Sequence, residues 1–111
     1  MENIAVIGLG QFGTQIAISL TQKGFEVTAI DQNKDVIMNI KDMVSDSVIV
    51  DSTDEKDMRA INIHSVDKVI VAMGSNVQAS LLTTALLQRM GIKKIYVRAI
   101  NPLQESILKS M

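Results

Sequence analysis

The chain has 111 residues, 47% of them apolar, and a formal charge of −1, which sets it at the size of one domain with enough apolar side chain for a buried core. A near-neutral balance with no clustered basic face excludes a generic nucleic-acid binder. The absence of cysteine excludes disulfides, thiolate metal sites and cysteine nucleophiles together.

Five short apolar runs follow one another along the chain: Ile4–Ile7, Val27–Ile30, Val48–Val50, Val69–Ala72 and Ile95–Val97. They are nearly continuous rather than alternating, the pattern of parallel strands buried on both faces. Met1-Glu2-Asn3 leads directly into the first run, with no basic segment and too short an apolar stretch for a signal peptide. No stretch reaches the roughly 18–20 apolar residues needed to cross a bilayer, so a soluble chain is expected. Helical signals fill the gaps. Gln11–Lys23 carries Phe12, Ile16, Ile18 and Leu20, and Gly24 stops it. Asn33 caps a second helix through about Met43. Ser52 with Glu55, and Ser75 with Gln78, have capping-box spacing ahead of helices ending near Ile61 and Met90, and Gly91 closes the latter. Asn101-Pro102 supplies a cap and an N1 proline for a last helix. The resulting β-α alternation predicts an α/β, Rossmann-like three-layer fold: a parallel sheet of order 3-2-1-4-5 with helices on both faces. Residues 1–111 form one domain. Because a sixth strand would usually follow, Met111 is expected to end a piece of a longer protein.

Gly8, Gly10 and Gly13 make a GxGxxG turn between the first strand and the first helix. In that context Gly8 permits the tight turn, Gly10 lets backbone approach a pyrophosphate, and Gly13 lets helix and sheet pack closely. Gln11 and Phe12 lie inside the turn, where free N–H groups and the helix dipole favour phosphate. Glycines that merely turn the chain are the bland alternative. Asp31 closes the second strand and is placed to accept hydrogen bonds from ribose hydroxyls while repelling a 2′-phosphate, which disfavours NADP. It could also be a solvated aspartate or a helix cap. Gln32 and Asn33 follow it on the same edge. At the carboxyl ends of the remaining strands stand Asp51-Ser52-Thr53 on the adenine side, Ala72-Met73-Gly74-Ser75-Asn76 facing the phosphates, and Arg98. Ser52 and Ser75 also read as caps, and Arg98 as a partner for a surface carboxylate. The single histidine, His64, falls at the opposite end of the sheet and reads as a solvated loop residue. The methionines at 38, 43, 58, 73 and 90 read as core filler. No His/Asp/Glu cluster has metal-ligand spacing, and no nucleophile has a paired base.

Val6-Ile7-Gly8-Leu9-Gly10-Gln11-Phe12-Gly13, Ala29-Ile30-Asp31, the run from Val69 to Ser80 and Val97-Arg98-Ala99-Ile100-Asn101 together resemble the nucleotide-binding lobe of RCK (KTN, or TrkA-N) domains, closest to the KtrA type. These are cytoplasmic regulators of Trk and Ktr potassium transporters and of some potassium channels. The resemblance implies a non-enzymatic gating domain that forms homodimers within a ring. Such a ring sits at the inner face of the membrane against a potassium-translocating subunit. It also implies an adenine nucleotide, ATP or ADP ahead of NAD(H), with Gly8, Gly10 and Gly13 at the phosphates, Asp31 at the ribose and Asp51-Ser52-Thr53 by the adenine. Gln11 departs from the family, whose Ktr members often carry a basic residue there to hold a terminal phosphate; Arg98 could supply that charge. The cofactor-binding half of an NAD-dependent dehydrogenase is the alternative, and a structural domain with a dead site is the third.

Overall fold

A computed structural model describes residues 2–111. Five strands, β1 (Asn3–Ile7), β2 (Glu26–Asp31), β3 (Asp46–Ile49), β4 (Lys68–Val71) and β5 (Ile95–Val97), form one sheet of order β3-β2-β1-β4-β5. Every neighbouring pair is parallel, with Ile7 opposite Ile30 on one side and Val71 on the other. Five α-helices connect and follow the strands: α1 (Gln11–Gln22), α2 (Lys34–Ile40), α3 (Glu55–Ala60), α4 (Val77–Arg89) and α5 (Pro102–Lys109). The strand order and the strand–helix alternation are those expected from the apolar runs.

Successive residues of β1 feed two separate cores. Ile4 and Val6 pack with Val27, Ala29, Ala17, Ile37 and Ile40 beneath α1 and α2. Ala5 and Ile7 pack with Ile30, Val69, Val71, Met58 and Leu87 beneath α3 and α4. A strand buried on both faces needs apolar residues at consecutive positions, which is why β1 reads as an unbroken run. The edge strands are looser: Ile49 of β3 and Tyr96 of β5 are about half exposed, at 48% and 53%.

Helix ends show which sequence signals the backbone used. Asn33 and Asn101 cap α2 and α5 as expected, each accepting from backbone N–H groups of the first turn. Gly24 and Gly91 take positive φ beyond α1 and α4. The serine boxes do not form. Asp54, not Ser52, accepts the Asp57 N–H at the start of α3, and Asn76, not Ser75, accepts the Ala79 N–H at the start of α4. Asp54 and Asn76 sit nearer the first turn, and Ser52 is turned inward. The second helix is also shorter than expected, because Lys41–Met43 tightens into a 3-10 turn after Ile40. Met58 and Met90 are core residues as read, whereas Met38 and Met43 are about half exposed and fill nothing. His64 is exposed but not idle: its Nε2 lies 2.9 Å from the Met90 carbonyl oxygen.

The three turn glycines have different reasons. Gly8 has φ +92°, and a side chain there would press on Met73 and the Ala72 backbone. A Cβ on Gly13 would overlap the Gly8 carbonyl oxygen, whereas one on Gly10 would meet no protein atom within 4 Å. Gly13→Ala is therefore expected to destabilise the fold by about 3 kcal/mol, as overpacking against rigid backbone does. Gly10→Ala, at a helix cap with open space, should cost less than about 1 kcal/mol. Urea denaturation of the two variants checks the split.

Candidate nucleotide-binding site

The cleft opens at the carboxyl ends of β1 and β4, where the strand order reverses and open parallel sheets hold their ligands. Its volume is about 600 Å³, and β1, β2, α1, α4 and the segments that follow β3, β4 and β5 all contribute wall.

One wall is the β1–α1 turn. The first N–H groups of any helix lack intrahelical partners. Side-chain oxygens of Asn33, Asp54, Asn76 and Asn101 cover those of α2, α3, α4 and α5. α1 is different: its cap position is Gly10, with no side-chain cap and no acidic residue in the first turn. The turn leading to it is held stiffly. The Leu9 N–H donates to Asp31 Oδ2 at 2.8 Å, and the Leu9 carbonyl accepts from the Thr14 hydroxyl at 3.0 Å. Gly8 N–H donates to the Ile30 carbonyl at 2.9 Å.

Asp31 faces this turn from the end of β2. Its other oxygen, Oδ1, accepts the Asn33 N–H at 2.9 Å. Two carboxylate oxygens offer about four acceptor positions. Two of them remain for hydroxyl groups of a ligand. Asp31 is thus a structural tie as well, joining β2 to the turn and to the start of α2.

At the β3 end, the Asp51 Oδ1 accepts both the Thr53 N–H at 2.9 Å and the Thr53 hydroxyl at 2.6 Å. That hydroxyl first, then the backbone N–H, holds the Asp51 carboxyl below its usual value of 3.8, against a smaller opposing effect of desolvation. Ser52 points the other way. It is buried, with Oγ 2.8 Å from the Thr83 hydroxyl and 3.7 Å from Met73 Sδ. Its hydroxyl is committed to α4 rather than free for a base.

Arg98 lies across the mouth. Its guanidinium sits 4.3 Å from the centre of the Phe12 ring, and among the described residues it forms no ion pair; the four that exist involve Arg59, Lys68, Arg89 and Lys109. The surface-carboxylate role is therefore not the one it takes.

Of the residues singled out from the sequence, Gly8, Gly10, Gln11, Phe12, Asp31, Gln32, Asp51, Ser52, Thr53, Ala72, Met73, Gly74, Ser75, Asn76 and Arg98 border the cleft. Gly13 and Asn33 do not: Gly13 is buried behind the turn and Asn33 is spent on capping α2. Gln78, Ala79 and Leu82 complete the wall from α4 and were not anticipated. The start of that helix follows the β4 turn and so faces the same edge of the sheet. Among the described residues there is no group of three or more acidic, histidine or cysteine side chains able to hold a metal ion, and no helix is long and apolar enough to cross a membrane.

The TrkA-N domain model matches residues 4–111. The chain belongs to the TrkA-N family. Over 110 residues it is 41% identical to the Ktr system potassium uptake protein C of Bacillus subtilis (strain 168), covering 99% of this chain and 50% of that protein. It is 37% identical, with the same coverage, to the Ktr system potassium uptake protein A of that strain. The chain thus spans half the length of these curated relatives. The TrkA-N domain is also similar to the solved NAD(P)-binding domain of an exopolyphosphatase-related protein from Archaeoglobus fulgidus. The TM-score is 0.86 at 27% identity, over 99% of this chain and 82% of that one.

Two measurements check the ties within the TrkA-N cleft. Asp31→Ala should lower unfolding free energy by about 1–3 kcal/mol, the cost of leaving the nearly buried Leu9 N–H without a partner. For Asp51 the folded-state value is depressed, so its contribution to stability is present above 3.8 and lost as pH falls through the folded value. Thr53→Val brings the folded value back toward the unfolded one. Stability of that variant should therefore fall less steeply on acidification below about pH 4 than that of the parent.

Proposed function

We propose that this TrkA-N domain binds an adenine nucleotide in the cleft and serves as the ligand-sensing part of a potassium uptake regulator. The observation that carries the binding half is the pairing of Asp31 across the turn with the start of α1, the one α-helix start without a side-chain cap among the described residues. Phosphate oxygens would accept from the free N–H groups of α1, helped by the helix dipole. Ribose hydroxyls would donate to the two unused acceptor positions of Asp31, a carboxylate that disfavours the extra phosphate of NADP. Gly10 fits this reading best of the three glycines, since protein packing leaves its side-chain position empty. The adenine would lie toward Asp51, Ser52 and Thr53. Gln32 and Asn76 would border the ligand through their exposed faces, and Gly13 and Asn33 would act from behind.

ATP or ADP is favoured over NAD(H) because, among the described residues, Arg98 is the one cationic side chain on the cleft wall and it forms no ion pair. It could take the place of the basic residue that Gln11 lacks. Relatives that match 99% of this chain are named as potassium uptake proteins, which favours a ligand-binding role over hydride transfer. We read the domain as a binding module rather than half of a dehydrogenase.

The regulatory half rests on the relatives, which are named as potassium uptake proteins. By that likeness the domain would form homodimers within a ring on the cytoplasmic side, against a membrane potassium-translocating subunit. A nucleotide would change that assembly only by binding one arrangement more tightly than another; equal affinity shifts nothing.

Calorimetric titration with ATP, ADP, NAD⁺, NADH and NADPH tests the ligand. ATP and ADP should bind more tightly than NAD(H), and NADPH most weakly. Gly10→Ala should weaken binding about tenfold or more, since its Cβ would intrude where the phosphates approach the backbone. Unchanged affinity in that folded variant, or no binding by any of the five, would contradict the reading.

A further inference from the structure

Gln104 is the only amide among the buried polar side chains of the described residues, 1% exposed at the third position of α5. A side chain there needs only to fill space, so a buried amide calls for hydrogen bonds, and it has three. Its Oε1 accepts from the Ile100 N–H at 2.8 Å. Its Nε2 donates to Ser80 Oγ on α4 at 3.3 Å and to the Arg98 carbonyl at 3.4 Å. The Arg98 N–H donates in turn to the Val71 carbonyl at 3.0 Å. Both backbone polar groups of Arg98 are thus held, one by β4 and one by α5, and the guanidinium is left pointing over Phe12 at the cleft mouth.

We propose that Gln104 is a positioning residue that ties the start of α5 to Arg98 and so sets how strongly the cleft responds to phosphate charge. The inference rests on the nucleotide reading above. Rotation or withdrawal of α5 must either break the Gln104–Arg98 bond or draw the Arg98 carbonyl with it. In either case the guanidinium loses its setting over the cleft. Linkage makes the coupling reciprocal: phosphate held by Arg98 favours the observed setting of α5, and whatever favours that setting raises affinity for the charged ligand by the same factor. A role in packing alone would carry no such dependence on ligand charge.

The test is calorimetry with AMP, ADP and ATP on the wild type, Gln104→Met, Arg98→Ala and the double variant. The wild type should prefer ATP to AMP, and Gln104→Met should cut that preference about fivefold while AMP affinity stays within about twofold. With Arg98 already replaced, Gln104→Met should change the preference no further, since the two act through one contact. An unchanged preference, an equal loss for AMP and ATP, or a further loss without Arg98 would overturn the proposal while leaving the nucleotide reading intact. A wild type that binds none of the three would overturn both. Should Gln104→Met not fold, the side-chain amide resonances of Gln104 in the wild type decide the matter. ADP should shift them more than adenosine does, and an equal response to the two would overturn the coupling.

Discussion

The carboxylate of Asp31 accepts one backbone N–H with each oxygen, from Leu9 on one side and Asn33 on the other, and the geometry of the cleft depends on that pair. Leu9 stands in the turn between β1 and α1, and Asn33 opens α2. A single side chain at the end of β2 therefore sets two crossings at once. The Thr14 hydroxyl closes the other side of the turn by donating to the Leu9 carbonyl. With both Leu9 groups satisfied, the N–H groups that remain unpaired belong to the first turn of α1, and they face the cleft. Preorganisation of this kind lowers the ordering cost that a bound ligand must offset.

The sheet explains why these parts meet. Order β3-β2-β1-β4-β5 places the reversal between β1 and β4, so α1 and α4 leave the sheet toward opposite faces and open a space between their starts. Tight approach of α1 to the strands then requires Gly13, and the path of the chain out of β1 requires Gly8 at positive φ. Gly10 answers to neither demand. Packing and binding constraints thus separate cleanly within a six-residue turn.

The strand–helix alternation, the sheet order, the glycine turn and Asp31 were legible in the sequence, because each rests on local chemistry. Unbroken apolar runs mark strands buried on two faces, and glycine at Gly24 or Gly91 marks a left-handed stop. What escaped was chemistry shared between distant segments. Ser52 has the spacing of a cap but is drawn 31 positions along the chain to the Thr83 hydroxyl, leaving Asp54 to cap α3. Gln104 looks like an ordinary helical surface residue until α4 and the end of β5 are in place around it. Arg98 has acidic residues enough in the sequence to pair with, yet the fold sets it over Phe12. Asp31 reads in the sequence as a ligand-facing group, a solvated aspartate or a helix cap, and its tie to Leu9, 22 positions away, emerges only in the fold. The family likeness adds what geometry cannot: membership of the TrkA-N family, with relatives of twice this length that are named as potassium uptake proteins.

A crystal structure of the domain with ADP would test the central claim most directly. The account predicts phosphate oxygens within hydrogen-bond distance of the first N–H groups of α1, and ribose hydroxyls on Asp31 with its bonds to Leu9 and Asn33 kept. A nucleotide seated elsewhere, or one that reaches Asp31 only by displacing the Leu9 N–H, would contradict it.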